Sequence, residues 1–152
     1  ELGVIIGKRA KNISKANAFD IIFGYTIIND VTARELQNNH KQWFIGKSPD
    51  TYCPMGPAVI TKDEINNIDE VKLQTFVNEE ERQVGIVKDM VFTIPVLIET
   101  LTKSMTLVEG DIIATGTPAG VGIGFDPPKF LKPGDKVKVS IEPIGTLENE
   151  VI

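Results

Sequence analysis

The sequence predicts an α+β domain in which short strands outnumber helices. Three observations carry this. In KVKVSI (136–141), Val137, Val139 and Ile141 alternate with polar residues, the period of a half-buried strand. KLQTFV (72–77) and RQVGIV (82–87) flank the polar turn 78–81 and read as a hairpin. From Thr93, Ile94, Leu97, Ile98 and Leu101 fall at i, i+3, i+4 and i+7, with Pro95 in the first turn where its missing N–H costs little. Strands do not alternate regularly with helices, so repeated βαβ units are not expected.

The remaining elements follow in order. LGVII (2–6) reads as a strand closed by Gly7, and Ser14 caps a short helix through Ile22 that Gly24 ends. TIIND, whose apolar part is Tyr25 to Ile28, is the next strand, and Thr32 to Asn39 the helix after it. Residues 40–57 read as a loop, and PAVIT (57–61) as a strand. Glu109-Gly110 turns the chain into the strand DIIATG. A Gly/Pro-rich loop covers 116–128, and Pro133-Gly134-Asp135 turns into the last strand.

A chain of 152 residues suits one domain (1–152), with 41% hydrophobic and 24% charged residues. Lys and Arg number 16 against 21 Asp and Glu, a net charge of −5. This excludes a general nucleic-acid binder, which needs a basic stripe. No apolar run approaches a membrane span. Cys53 is the one cysteine, so an internal disulfide is excluded and a reducing, cytoplasmic setting is expected. The chain starts on Glu1 and enters an apolar strand at once, which points to a preceding segment and an N-terminally incomplete domain.

The densest chemistry lies between Gly24 and Lys47. Asp30 follows an apolar strand, and Arg34 and Gln37 follow it by four and seven positions, offsets that share a helix face. Asp30 reads either as a helix cap or as a metal ligand; Thr32-Ala33-Arg34-Glu35 fits a capping box, which leaves Asp30 able to face a cavity. Arg34 and Gln37 read either as substrate contacts or as a solvated face. Lys47, after Trp43-Phe44-Ile45-Gly46, reads as a half-buried functional amine or as a surface lysine behind a loop-anchoring Trp. Glu1 and Asp30 together would suit a hard cation with oxygen ligands, such as Mg²⁺, Mn²⁺ or Ca²⁺. The loop Thr115-Gly116-Thr117-Pro118-Ala119-Gly120 is neither a Walker loop nor a dinucleotide fingerprint, but its N–H groups and the Thr117 hydroxyl can meet substrate oxygens. His40 sits among polar residues and is read as solvated. Cys53 lacks a second histidine to activate it, and no Ser stands in a nucleophile elbow.

These segments together resemble the C-terminal catalytic domain of the fumarylacetoacetate hydrolase family. ELGVIIGK, FGYTIINDVTARELQ, QWFIGKSPDTYCPMGP, VNEEERQ, DMVF, GDIIATGTPAGVG and FLKPGDKVKVSIEPIGTLEN carry the resemblance, in order, along essentially the whole chain. It implies a mixed β-sandwich roll with a few short helices, usually a homodimer. It implies a Glu-x-Glu plus Asp metal site, with Glu1 as the second Glu and Asp30 as the Asp; the first Glu would lie two positions upstream. It implies that Lys47, Arg34, Gln37 and Thr117 meet the substrate, and that Thr51 approaches a second cation in some relatives. Hydrolytic members activate water with a lid His that no residue here matches. Asn78-Glu79 stands where the family's hairpin is expected to carry Asn-Gly.

The implied function is divalent-metal-dependent hydrolysis of a carbon–carbon bond in a 2-oxo acid or β-diketo acid, acylpyruvate-like, through a metal-stabilised enolate. Decarboxylation, or isomerisation of a 2-hydroxyhepta-2,4-diene-1,7-dioate in aromatic catabolism, draws on the same site. A metal- and ligand-binding domain without catalysis is the rival from another class.

Overall fold

The computed structural model describes residues 1–40 and 42–152, His40 through its backbone only. Two four-stranded antiparallel sheets enclose the core. The first contains β1 (Leu2–Ile6), β2 (Ile22–Ile28), β3 (Met55–Thr61) and β6 (Ile112–Ala114), in the order β3-β2-β1-β6. The second contains β4 (Lys72–Val77), β5 (Glu80–Ile86), β7 (Lys136–Ile141) and β8 (Gly145–Glu150), in the order β5-β4-β7-β8. Three α-helices complete the described fold: α1 (Arg34–His40), α2 (Trp43–Lys47) and α3 (Ile94–Ser104). No helix is long and apolar enough to cross a membrane among the described residues.

The alternation in the sequence produces the core directly. Val137, Val139 and Ile141 of β7 and Leu73 of β4 point inward to meet Val4, Ile6, Tyr25 and Ile27 of the first sheet. Burying a side chain of this size stabilises the fold by roughly 1.5–3 kcal/mol. Helix α3 starts after Thr93 with Pro95 in its first turn, as its sequence predicts. Ile94, Ile98 and Thr102 are buried, and the Thr102 hydroxyl donates to the Ile98 carbonyl within the helix.

Several expectations are corrected. Gly24 does not end a helix. The segment 15–21 is a 3₁₀ helix and β2 begins at Ile22, so Gly24 lies inside the strand. A side chain there would collide with the Ile60 carbonyl oxygen of β3, so close strand pairing accounts for the glycine. Ser14 precedes the 3₁₀ helix but gives no side-chain cap. The segment read as a loop over 40–57 contains α2, only five residues long and too short to show a period. Strand β8 was not legible, because GTLENE offers one large apolar residue, Leu147, to the core. The β4–β5 turn closes on Asn78 and Glu79 at φ 49° and 66°, the left-handed pair that a two-residue hairpin requires. The Asn78 side chain donates to Asp135 Oδ1 and accepts from the Lys136 N–H, which anchors this turn to β7.

Candidate functional site

The antiparallel register brings Glu1 opposite Ile28. Leu2 pairs with Ile27, the Ile28 N–H donates to the Glu1 carbonyl at 3.0 Å, and the Glu1 nitrogen donates to the Ile28 carbonyl at 2.7 Å. Asp30 lies two residues beyond Ile28, at the same end of the sheet. The chain there bends away from the ladder through Val31 N–H to the Asn29 carbonyl. Asp30 caps no helix: Lys47 Nζ stands 2.5 Å from its Oδ2. Thr32 does not form the expected capping box, because α1 begins only at Arg34 and the Thr32 hydroxyl donates to the Asp30 carbonyl at 3.4 Å.

Helices α1 and α2 form the scaffold of this ion pair. The Ala33 N–H donates to the Gly46 carbonyl, and Gly46 lies against Gln37, where a Cβ would stand 2.8 Å from Gln37 Cβ. This contact fixes Lys47, the next residue, above Asp30. Arg34 and Gln37 do share a face, for the Arg34 Nη1 donates to Gln37 Oε1 at 2.9 Å. Gln37 is buried at 9% exposure and is no solvated residue. Trp43 and Phe44, by contrast, are 69% and 74% exposed, so the Trp does not anchor the loop within this chain. Neither Arg34 nor Gln37 hydrogen-bonds to Asp30 or Lys47. The expectation for the His40 side chain lies outside the described residues.

Glu1 is held from another side. The Gly116 N–H donates to its Oε2 at 2.8 Å, and the Thr115 hydroxyl donates to the Leu2 carbonyl, which ties this loop to β1. Thr117 is exposed and accepts from Gln83 Nε2 at 2.7 Å; the same Nε2 donates to the Pro118 carbonyl. Gln83 was not foreseen as part of the site, because a single Gln in a strand leaves no spacing signal. Cys53, at φ 60°, belongs to the same neighbourhood. Burial pushes its thiol up, the carboxylates of Asp30 and Glu1 push the same way, and the Lys47 ammonium opposes them. Thr51 is exposed on the same loop at φ 69°.

The donor set suits a hard cation. Glu1 Oε1 and Asp30 Oδ1 accept no hydrogen bond among the described residues, and carboxylate oxygens are what Mg²⁺ and Mn²⁺ prefer. The set is small, since no cluster of three or more His, Cys, Asp or Glu occurs among the described residues.

Comparison with known proteins identifies the family and the fold. The family described as fumarylacetoacetate (FAA) hydrolase C-terminal matches residues 1–152. The chain belongs to the fumarylacetoacetate hydrolase family. The oxaloacetate tautomerase YisK of Bacillus subtilis (strain 168) is 60% identical over 151 residues, which are 99% of this chain and 50% of that protein. A fumarylacetoacetate hydrolase from psychrophilic Exiguobacterium antarcticum superposes with a TM-score of 0.96 at 48% identity, covering 99% of this chain and 54% of the other. The maleylpyruvate hydrolase from Sphingobium sp. SYK-6, in complex with manganese(II) ion and pyruvate, gives a TM-score of 0.87 at 36% identity and covers 100% and 52%. The chain spans about half the length of the curated relatives it matches. Members of the family thus include a tautomerase and hydrolases, and the fold here is theirs.

Proposed function

We propose that this domain carries the reaction centre of an enzyme that forms and stabilises the enolate of a 2-oxo acid. The observation that carries the reading is the Lys47–Asp30 pair at the end of β2, beside the strand end that bears Glu1. Glu1 and Asp30 would hold a divalent cation, Mg²⁺ or Mn²⁺. When bound, that cation supplies Lewis acidity to the carboxylate and oxo oxygens of the substrate.

This chain's own residues do the rest. The Lys47 ammonium adds a fixed positive charge beside the oxygen on which negative charge develops. The Gly116 N–H holds Glu1 in one orientation, which preorganises the ligand. Gln37 aims the Arg34 guanidinium at the anionic end of the substrate. The Thr117 hydroxyl, held by Gln83, offers a further donor.

Keto–enol conversion of an oxaloacetate-like acid is the reading that the 60% identical tautomerase favours. Cleavage of a carbon–carbon bond in an acylpyruvate-like acid is the second, supported by the hydrolases of the same fold. Both use one enolate, and a homodimer is part of the proposal. The test is to load the protein with Mn²⁺ and supply enol-rich oxaloacetate or acetylpyruvate. Faster decay of enol absorbance without new products supports the tautomerase. Appearance of pyruvate and acetate by NMR supports the hydrolase. Metal binding with neither change contradicts both and makes the domain a binder.

A further inference from the structure

Residues 115–135 join β6 to β7 and hold one 3₁₀ turn, Gly122–Gly124. A connection this long and irregular within a compact domain is commonly functional. Its first residues are fixed to the first sheet: the Thr115 hydroxyl donates to the Leu2 carbonyl, and the Gly116 N–H to Glu1 Oε2. The next part lies against β5, the edge strand of the second sheet. Gly120 approaches that strand so closely that a Cβ would stand 1.8 Å from the Arg82 carbonyl oxygen. Thr117 sits where the loop crosses from one sheet to the other, so both attachments place its hydroxyl.

A group of charges fastens the second attachment. Arg82 Nε stands 3.0 Å from Glu80 Oε2, and Lys129 Nζ 2.5 Å from Glu80 Oε1. One carboxylate of β5 thus meets a cation from its own strand and a cation from the loop. The Lys129 N–H also donates to the Gly122 carbonyl, which folds the loop back on itself. Two cations around one carboxylate leave a surplus positive charge. The Phe125 ring offsets it: Arg82 Cζ lies 5.3 Å and Lys129 Nζ 4.8 Å from its centroid, within cation–π range. The Arg82 side chain is mostly buried, while Glu80 and Lys129 are nearly half exposed. Exposed pairs are of modest strength, so losing the clasp frees the loop without unfolding the sheets.

We propose that Phe125 is a positioning residue: with Arg82, Glu80 and Lys129 it clasps the loop to β5 and so sets where the Thr117 hydroxyl meets the substrate. The proposal rests on the functional reading above and adds to it residues that govern substrate affinity from outside the site. Glu1 keeps its own support, because Gly116 and Thr115 are fastened to the first sheet separately.

The first test is kinetic, on the Mn²⁺-loaded protein with oxaloacetate or acetylpyruvate. Phe125→Leu keeps apolar bulk and removes the ring, and it should raise KM about fivefold. The change in kcat should stay within about twofold, and Mn²⁺ affinity should not move. Phe125→Tyr keeps the ring and should restore KM. Glu80→Gln, at an exposed position, should raise KM like Phe125→Leu, and the double variant should be no worse than either. Lower stability with KM unchanged would make the clasp merely structural and overturn the proposal. The second test needs no turnover. The Gln83 side-chain amide bonds to Thr117 Oγ1 and the Pro118 carbonyl, so its NMR resonance, assigned by its absence in Gln83→Ala, reports whether the loop is docked. It should shift in Phe125→Leu and Glu80→Gln and not in Phe125→Tyr. An unmoved resonance overturns the clasp whatever the KM. A moved resonance with unchanged KM overturns the role in positioning while the functional reading stands. A moved resonance with no turnover of any 2-oxo acid by the wild-type protein overturns the functional reading, and with it the clasp's part in substrate binding.

Discussion

Lys47 Nζ lies 2.5 Å from Asp30 Oδ2, so the last residue of α2 is fastened to the turn that follows β2. Both side chains are roughly a quarter exposed, at 28% and 23%. A partly buried pair of this kind contributes about 1 kcal/mol. Lys47→Met should therefore lower stability by about 1–2 kcal/mol and lower kcat by about 100-fold or more, well beyond what that stability loss explains. Chemical denaturation and steady-state kinetics on the same preparation read the two effects. A stability loss in proportion to the activity loss would make Lys47 a structural residue.

Gly46 is the support beneath that lysine. An alanine there would press on Gln37 Cβ and its backbone nitrogen, both at 2.8 Å, where backbone cannot yield cheaply. Gly46→Ala should cost about 1–3 kcal/mol and separate α1 from α2. The check is denaturant unfolding together with hydrogen exchange, which should accelerate at the Ala33 amide that bonds to Gly46.

Gln83 holds the Thr117 loop by two hydrogen bonds from one nitrogen, to Thr117 Oγ1 and the Pro118 carbonyl. Gly120 in the same loop has no room for a side chain against the Arg82 carbonyl. Gln83→Ala should raise KM about tenfold with a smaller change in kcat, because it loosens a binding group and leaves the charged groups in place. Thr117→Val should match it, and the double variant should be no worse than either single one.

Tyr25 supplies a pH signature. It is 2% exposed, and burial pushes its phenol up to about 12 from an ordinary value near 10. The folded state holds the proton more tightly than the unfolded state. Its stabilisation is thus fully present below pH ~10 and is lost as pH rises toward ~12, by about 3 kcal/mol. Tyr25→Phe should flatten this limb when unfolding free energies are compared between pH ~9 and ~12. Parallel curves for the two proteins would contradict the assignment.

Much of this was legible in the sequence, for identifiable reasons. The strands β4 and β7 and the helix α3 declare themselves because one face of each is buried, so periodicity records the fold, while β1 is buried along nearly its whole length and shows as an apolar run. Strand β8 and helix α2 do not, because Leu147 alone and an exposed Trp43-Phe44 leave no period. Asp30 lies in the turn before α1, where a helix offset does not apply, whereas Arg34 and Gln37 were legible as neighbours through their spacing. Gln83 and the Gly116 N–H were not: one acts across the sequence from a hairpin, and the other is a backbone group that any residue could offer. The capping reading of Thr32 failed because α1 starts one residue later than the box requires, after the Gly46 carbonyl has taken the Ala33 N–H.

The most direct test of the central claim is calorimetric titration of Mn²⁺ into the wild-type protein and into Asp30→Asn and Glu1→Gln. Both carboxylates are proposed as ligands, so each variant should weaken binding by about tenfold or more, with turnover of 2-oxo acids falling alongside. Unaltered Mn²⁺ affinity in both variants, with turnover intact, would contradict the account.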